Sequence, residues 1–200
     1  MTAGRRLRGG EQRILTAPNA ITLVRLAFIP VFVWLLFGRD NRAAAAVVLA
    51  VLGSTDWVDG FVARRYQQVT TLGKVLDPVA DRLLLAVAVV SIVIDGSLPL
   101  AVAVLALVRE SLVALAAVVL AALGARRIDV TLVGKAGTFC LLVSFPLFLA
   151  ARSTFSWAEG AEVAAWAFVI PGLILAYVSL AGYVPLARRA LGGRGVGSGT

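Results

Sequence analysis

The 200-residue chain contains no histidine, one cysteine, one methionine, and 11 acidic residues against 19 basic ones. The absence of histidine excludes Ser-His-Asp catalysis, histidine-ligated zinc and paired-histidine chemistry of the phospholipase D type. A single cysteine, Cys140, excludes an internal disulfide and a thiolate metal cluster. Any general base must therefore be a carboxylate, Lys, Tyr or Cys. Charged residues are only 15% of the chain and hydrophobic ones 60%, with a mean hydropathy of +0.93. That is far more apolar than a soluble core requires. The expectation is an all-α integral membrane protein of six transmembrane helices, at about 20 residues per span.

What is there divides into apolar runs and basic gaps. Residues 1–17 form a short basic interfacial segment with Arg5, Arg6, Arg8 and Arg13, expected to lie on an anionic lipid surface and to be retained rather than cleaved. Pro18 and Asn19 are expected to break the chain before a first span near 21–38. Further spans are expected near 43–62, 77–95, 99–123, 131–150 and 163–186, so that residues 18–190 make one domain and 191–200 a Gly-rich disordered tail. Thirteen Lys and Arg fall in the N-terminus, the gaps 64–74 and 124–135 and the C-terminus, against Arg39, Arg42 and Arg152 in the alternate gaps. The positive-inside rule then places both termini in the cytoplasm of a multi-pass plasma-membrane protein. Basic charge distributed in this way serves topology and calls for no nucleic acid.

One polar stretch interrupts the pattern: Asp56-Trp-Val-Asp59-Gly60-Phe-Val-Ala63-Arg64, eight residues, then Gly73-Lys74-Val-Leu-Asp77-Pro78-Val-Ala-Asp81. Each carboxylate at mid-membrane costs roughly 2.5 to 3.5 kcal/mol, and four on the order of 10 kcal/mol, unless neutralised. Asp56 and Asp59 at i, i+3 share a helix face, as do Asp77 and Asp81 at i, i+4. Two such pairs on neighbouring helices could close an oxygen cage around one or two hard divalent ions. The stretch covers the end of span two, a cytoplasmic loop and the start of span three, so its site faces the cytoplasm. Pro78 disfavours helical geometry at Asp77 and marks a start or kink of span three.

This pattern, DxxDGxxAR, eight residues, GxxxDxxxD, closely resembles the signature of the CDP-alcohol phosphatidyltransferases. Pro18-Asn19, Arg25, Pro30 and Thr55-Asp56-Trp57 extend the likeness over nearly the whole chain. The resemblance implies six spans and a Mg2+- or Mn2+-dependent displacement of CMP from CDP-diacylglycerol by an alcohol. By position it implies Asp56, Asp59, Asp77 and Asp81 as metal ligands, with Asp81 also the general base. It further implies Asp56, Gly60, Ala63, Arg64, Gly73 and Lys74 around the CDP-lipid.

For the acceptor, Arg109-Glu110 in span four and Gly134-Lys135-Ala136-Gly137-Thr138 in span five resemble features of phosphatidylglycerophosphate synthases, with Gly137 where a second lysine is expected. The run Val133 to Phe139, followed by Ser144-Phe145-Pro146, looks more like bacterial cardiolipin synthases of the same superfamily. Phosphatidylglycerol is thus the favoured acceptor and glycerol 3-phosphate the alternative, with Arg109, Glu110, Lys135 and Arg25 as acceptor contacts.

Blander readings remain beside these. The aspartates could be helix caps and loop salt bridges, Arg109-Glu110 an ion pair locking two helices, and Arg25 a snorkelling anchor. Trp34, Trp157 and Trp166 are expected at interfaces or in packing. The Ala and Gly content of spans two and four suits close packing or a homodimer face. A cation transporter would also bury carboxylates, but spans five and six carry no charge through their apolar runs and the acids cluster on one side.

Overall fold

The computed structural model describes the backbone of residues 17–66, 73–122 and 132–182, and the side chains of 22–55, 80, 82–116, 118–119 and 132–182. The basic segment 1–16, the 67–72 and 123–131 loops and the C-terminal tail expected at 191–200 lie outside the described residues. Among the described residues there are six α-helices and no strand. They are α1 (Ala17–Val33, continued by a π-helical turn Trp34–Gly38), α2 (Arg42–Tyr66), α3 (Gly73–Ile94), α4 (Leu100–Ala122), α5 (Leu132–Ala151) and α6 (Ala158–Ala181).

Each helix falls on one of the six expected apolar runs, but three begin earlier. α1 starts at Ala17, so Pro18 stands in its first turn rather than breaking the chain before it. Proline is tolerated there because the N–H it lacks has no intrahelical acceptor. α3 starts at Gly73 and runs through Pro78, giving up one hydrogen bond near its start. α6 starts at Ala158, with Trp157 as its N-cap and Glu159 in the first turn. Between α3 and α4 the chain reverses over Asp95 and Gly96, whose φ of 79° suits glycine and strains any other residue.

α5 and α6 form the most extensive helix pair, α2 lies against α5, α1 packs on both α2 and α3, and α4 rests on α6 and α3. The reason for the α5–α6 intimacy is local. A Cβ on Gly137 would sit 2.7 Å from the backbone nitrogen of Ala176, and one on Gly172 would sit 3.0 Å from Cβ of Cys140. Small residues let the two backbones approach, as in helix pairs packed within lipid. The core is filled by Phe32, Leu36, Val89, Ile92, Leu149 and Val169, all fully buried.

The outer surface is apolar as well. Ile170, Ile174 and Val178 on α6, and Val104, Val108 and Leu115 on α4, are exposed. Helices that are hydrophobic on every side belong in a large core or a membrane. α5 and α6 are long and apolar enough to cross a bilayer, by length and composition.

Candidate active site

One end of the bundle is tied together. Arg42, at the start of α2, reaches Asp95, just past the end of α3, with Nη2 3.0 Å from Oδ1 and Nε donating to Oδ2 at 3.1 Å. Asp95 is almost fully buried and also accepts from the Ser97 hydroxyl, while Arg42 pairs with Asp40 at 3.0 Å. The hydrogen bond to Asp95 is the first cause that holds the Arg42 guanidinium above its ordinary pKa, so it stays charged at any physiological pH. Arg152 and Glu162 pair at 3.9 Å on the same end of the bundle. The sequence expectation that acids cluster on one side is thus corrected: Asp40, Asp95 and Glu162 are at the opposite end, each beside a cation.

This clamp sets α2 and α3 in register as they run away from it. At about 1.5 Å per residue, Asp56 and Asp81 both stand about 20 Å from the clamp, and Asp59 and Asp77 both about 26 Å. The two aspartate-bearing stretches therefore lie at the same end of the bundle and at matching heights along their helices. α1, packed on both, carries Arg25 at about 20 Å from the same end. The side chains of Asp56, Asp59, Gly60, Ala63, Arg64, Gly73, Lys74, Asp77 and Asp81 lie outside the described residues. Among the described residues no group of three or more His, Cys, Asp or Glu could hold a metal ion. The donor set is nonetheless chemically coherent: four carboxylates with neither imidazole nor thiolate suit a hard divalent ion rather than zinc or copper.

Arg25 is 3% exposed inside the bundle, which a snorkelling side chain would not be. Arg109 is similarly buried and pairs with its neighbour Glu110. That pair lies within α4 and so does not lock two helices. Arg109 Nε is buried and has no hydrogen-bond partner among the described residues. The turn of α4 that precedes it is held to α6 by the Tyr177 hydroxyl, which donates to the Leu105 carbonyl at 3.0 Å.

Lys135 is exposed at the start of α5. It stands about 24 Å from the clamp end by helix rise, level with Asp59 and Asp77, whereas Arg109 and Glu110 stand only about 14 Å from it. The expected acceptor residues therefore occupy two levels: Arg25 and Lys135 at the height of the aspartates, and Arg109-Glu110 roughly 10 Å nearer the clamp. Gly137 faces α6 and not the Lys135 side of α5, so its position could not present a cation to the site in this packing.

Sequence reasoning missed a groove of about 1010 Å³ between α2 and α5. Lys135 and Ser54 line its site-facing end, Ala50 and Leu142 its middle, and Phe155 and Trp157 its far end. The signal was legible as small residues at Ala46, Ala50, Gly53 and Ser54, one face of α2. Those residues suggested helix packing, yet over this stretch they leave a space open.

Comparison with known proteins agrees with the resemblance. Residues 15–178 match the CDP-alcohol phosphatidyltransferase family. A Streptomyces coelicolor protein named cardiolipin synthase (CMP-forming) is 36% identical over 182 residues, 88% of this chain and 85% of its own length. A Mycobacterium tuberculosis protein provisionally named cardiolipin synthase is 34% identical over 163 residues, 82% of this chain and 78% of its own. Another from the same organism, provisionally named phosphatidylglycerophosphate synthase, is 33% identical over 189 residues, 92% of this chain and 87% of its own. With the aspartate signature intact and the match running from the start of α1 nearly to the end of α6, the chain belongs to the CDP-alcohol phosphatidyltransferase family of enzymes.

Proposed function

We propose that this enzyme transfers the phosphatidyl group of CDP-diacylglycerol to phosphatidylglycerol, releasing CMP and forming cardiolipin, at the cytoplasmic face of the plasma membrane. The observation that supports the reading is the aspartate signature at one end of the bundle, where helix rise puts Asp56 level with Asp81 and Asp59 level with Asp77. All six helices cross the bilayer, with both termini and the aspartate end on the side rich in Lys and Arg.

Asp56, Asp59, Asp77 and Asp81 would hold one or two Mg2+ or Mn2+ ions, which when bound neutralise diphosphate charge. Asp81 accepts the proton of the acceptor hydroxyl as its oxygen bonds to the lipid-side phosphorus. The bond from that phosphorus to the CMP oxygen breaks, and the electron pair leaves with CMP. Gly60 and Gly73 leave room for the nucleotide between the helix backbones. Arg64 and Lys74 offer the phosphates positive charge. The α2–α5 groove, apolar along its length and cationic at the site-facing end, receives an acyl chain of the donor.

Phosphatidylglycerol is favoured over glycerol 3-phosphate because the position of the expected second lysine is sealed against α6, and because relatives aligned along most of the chain carry the cardiolipin synthase name. The alternative acceptor is supported by the relative named phosphatidylglycerophosphate synthase, which aligns over 92% of the chain. A transporter function has no comparable support.

The test is CMP release by purified protein in detergent, with CDP-diacylglycerol, Mg2+ and a single acceptor per reaction. Cardiolipin with phosphatidylglycerol, and no product with glycerol 3-phosphate, is the expected result. Release only with glycerol 3-phosphate would overturn the acceptor assignment, and no release with either would overturn the reading itself.

A further inference from the structure

The groove between α2 and α5 has a built end. Along α5 it runs from Lys135 to Ala150, about 22 Å by helix rise, more than the roughly 15 Å of hydrocarbon in one leaflet. That length suits one extended fatty acyl chain. At the far end the rings of Phe155 and Trp157 stack at 5.0 Å and 12°. Both line the groove, yet Trp157 remains 51% exposed.

The loop that carries this stack is pinned to the end of α5. The Ser153 hydroxyl donates to the Ala150 carbonyl at 2.7 Å and accepts from the Phe155 N–H at 3.3 Å. The Ala158 N–H donates to the Phe155 carbonyl at 3.2 Å, and the Trp157 carbonyl accepts the Ala161 N–H at 2.9 Å as α6 begins. A stacked aromatic pair on so constrained a loop is a fixed stop. An aromatic that merely anchors at the membrane interface needs no position at the end of a groove.

From this we infer that the Phe155–Trp157 stack is the length gauge for an acyl chain of CDP-diacylglycerol lying in the α2–α5 groove. The inference rests on the proposed donor reading. The donor is the occupant because the α2 wall, at Gly53 and Ser54, leads within one turn to Asp56, and because Lys135 places positive charge where an anionic headgroup would lie. Chains that end short of the stack leave the slot part-filled, and chains that exceed it must bend out into lipid. Shape complementarity at the end of an apolar pocket discriminates by about tenfold or more per misfit group.

The experiment measures kcat/KM for CMP release in detergent with CDP-diacylglycerols carrying didecanoyl, dimyristoyl, dipalmitoyl or diarachidoyl chains, at fixed acceptor. A second series varies the acceptor's chains at fixed donor. Trp157→Ala should raise the diarachidoyl-to-dipalmitoyl ratio by about tenfold, with Trp157→Phe close to wild type. Ala50→Phe, at an exposed position halfway along the slot, should shift preference about tenfold toward didecanoyl. Unchanged donor-length ratios in both Trp157→Ala and Ala50→Phe, with wild-type turnover intact, would overturn the gauge while leaving the donor reading in place. A length shift confined to the acceptor series would also overturn it. Absence of CMP release by the wild type would instead strike the reading on which the gauge rests.

Discussion

The two ends of the α2–α3 pair treat acidic side chains in opposite ways. At the clamp end Asp95 is almost completely buried, but Arg42 meets both of its oxygens and Ser97 adds a hydrogen bond, so the protein supplies its own counter-charge. At the other end four aspartates stand on two helices, and Arg25, Arg82 and Lys135 are the described cations at about the same levels. Asp95 has its charge met within the fold, so removing its partner should cost stability, whereas the four clustered aspartates would, on the proposed reading, be completed by a metal ion. The same helices thus carry acid paired within the fold at one end and, on the proposed reading, acid as ligand at the other.

Substitutions should separate the two ends sharply. Asp81→Asn is expected to lower kcat for transfer by about 10³-fold while largely sparing CDP-lipid binding, since only the proton acceptor is removed. Near-normal turnover in that variant would sink the base assignment. Asp56→Asn should act through binding, with Mg2+ affinity and CDP-lipid affinity each falling by about tenfold or more, because hard-ion affinity follows ligand charge. A titration in which the lipid weakens but Mg2+ does not would remove Asp56 from the metal set.

At the clamp end the effect should appear in stability instead. Asp95→Asn leaves a guanidinium that is about 30% exposed and still paired with Asp40, so the loss belongs at or below the low end of the roughly 3 to 5 kcal/mol for breaking a buried pair. Thermal unfolding in detergent should report it, with transfer per folded molecule retained. If transfer fell in proportion to Asp81→Asn, the two ends would not be separable. Gly137→Ala should have the smallest effect, about 1 to 3 kcal/mol of destabilisation, because its new methyl meets the backbone of α6, which cannot rotate away. An unchanged melting temperature would mean that α5 and α6 can part without loss.

Several features of the molecule were legible without coordinates. Six apolar runs gave six helices, because chain length and hydropathy leave helix as the economical way to satisfy backbone groups away from water. Four aspartates at fixed helical spacings on either side of a short basic gap marked the site end, since spacing is a property of sequence. Helix starts were less legible at Ala17 and Gly73: proline reads as a breaker, yet Pro18 fits a first turn and Pro78 costs α3 a single hydrogen bond in its second turn.

Residue identity alone determined the aspartate signature, the absence of any imidazole base and the apolar character of the bundle. Which face of a helix looks where was decided only by tertiary packing. Gly137 reads as a missing cation in sequence, and the structure turns it into the point where α5 meets α6. Arg109-Glu110 reads as an acceptor contact or, more blandly, as a bridge between helices, and the structure makes it a pair within one helix, deeper than Lys135. Small residues on α2 read as packing, and the packing leaves a groove in front of part of them. The physical reason is common to all three: periodicity fixes which residues share a helix face, but the partner of that face depends on helix crossings made by residues far apart in the chain.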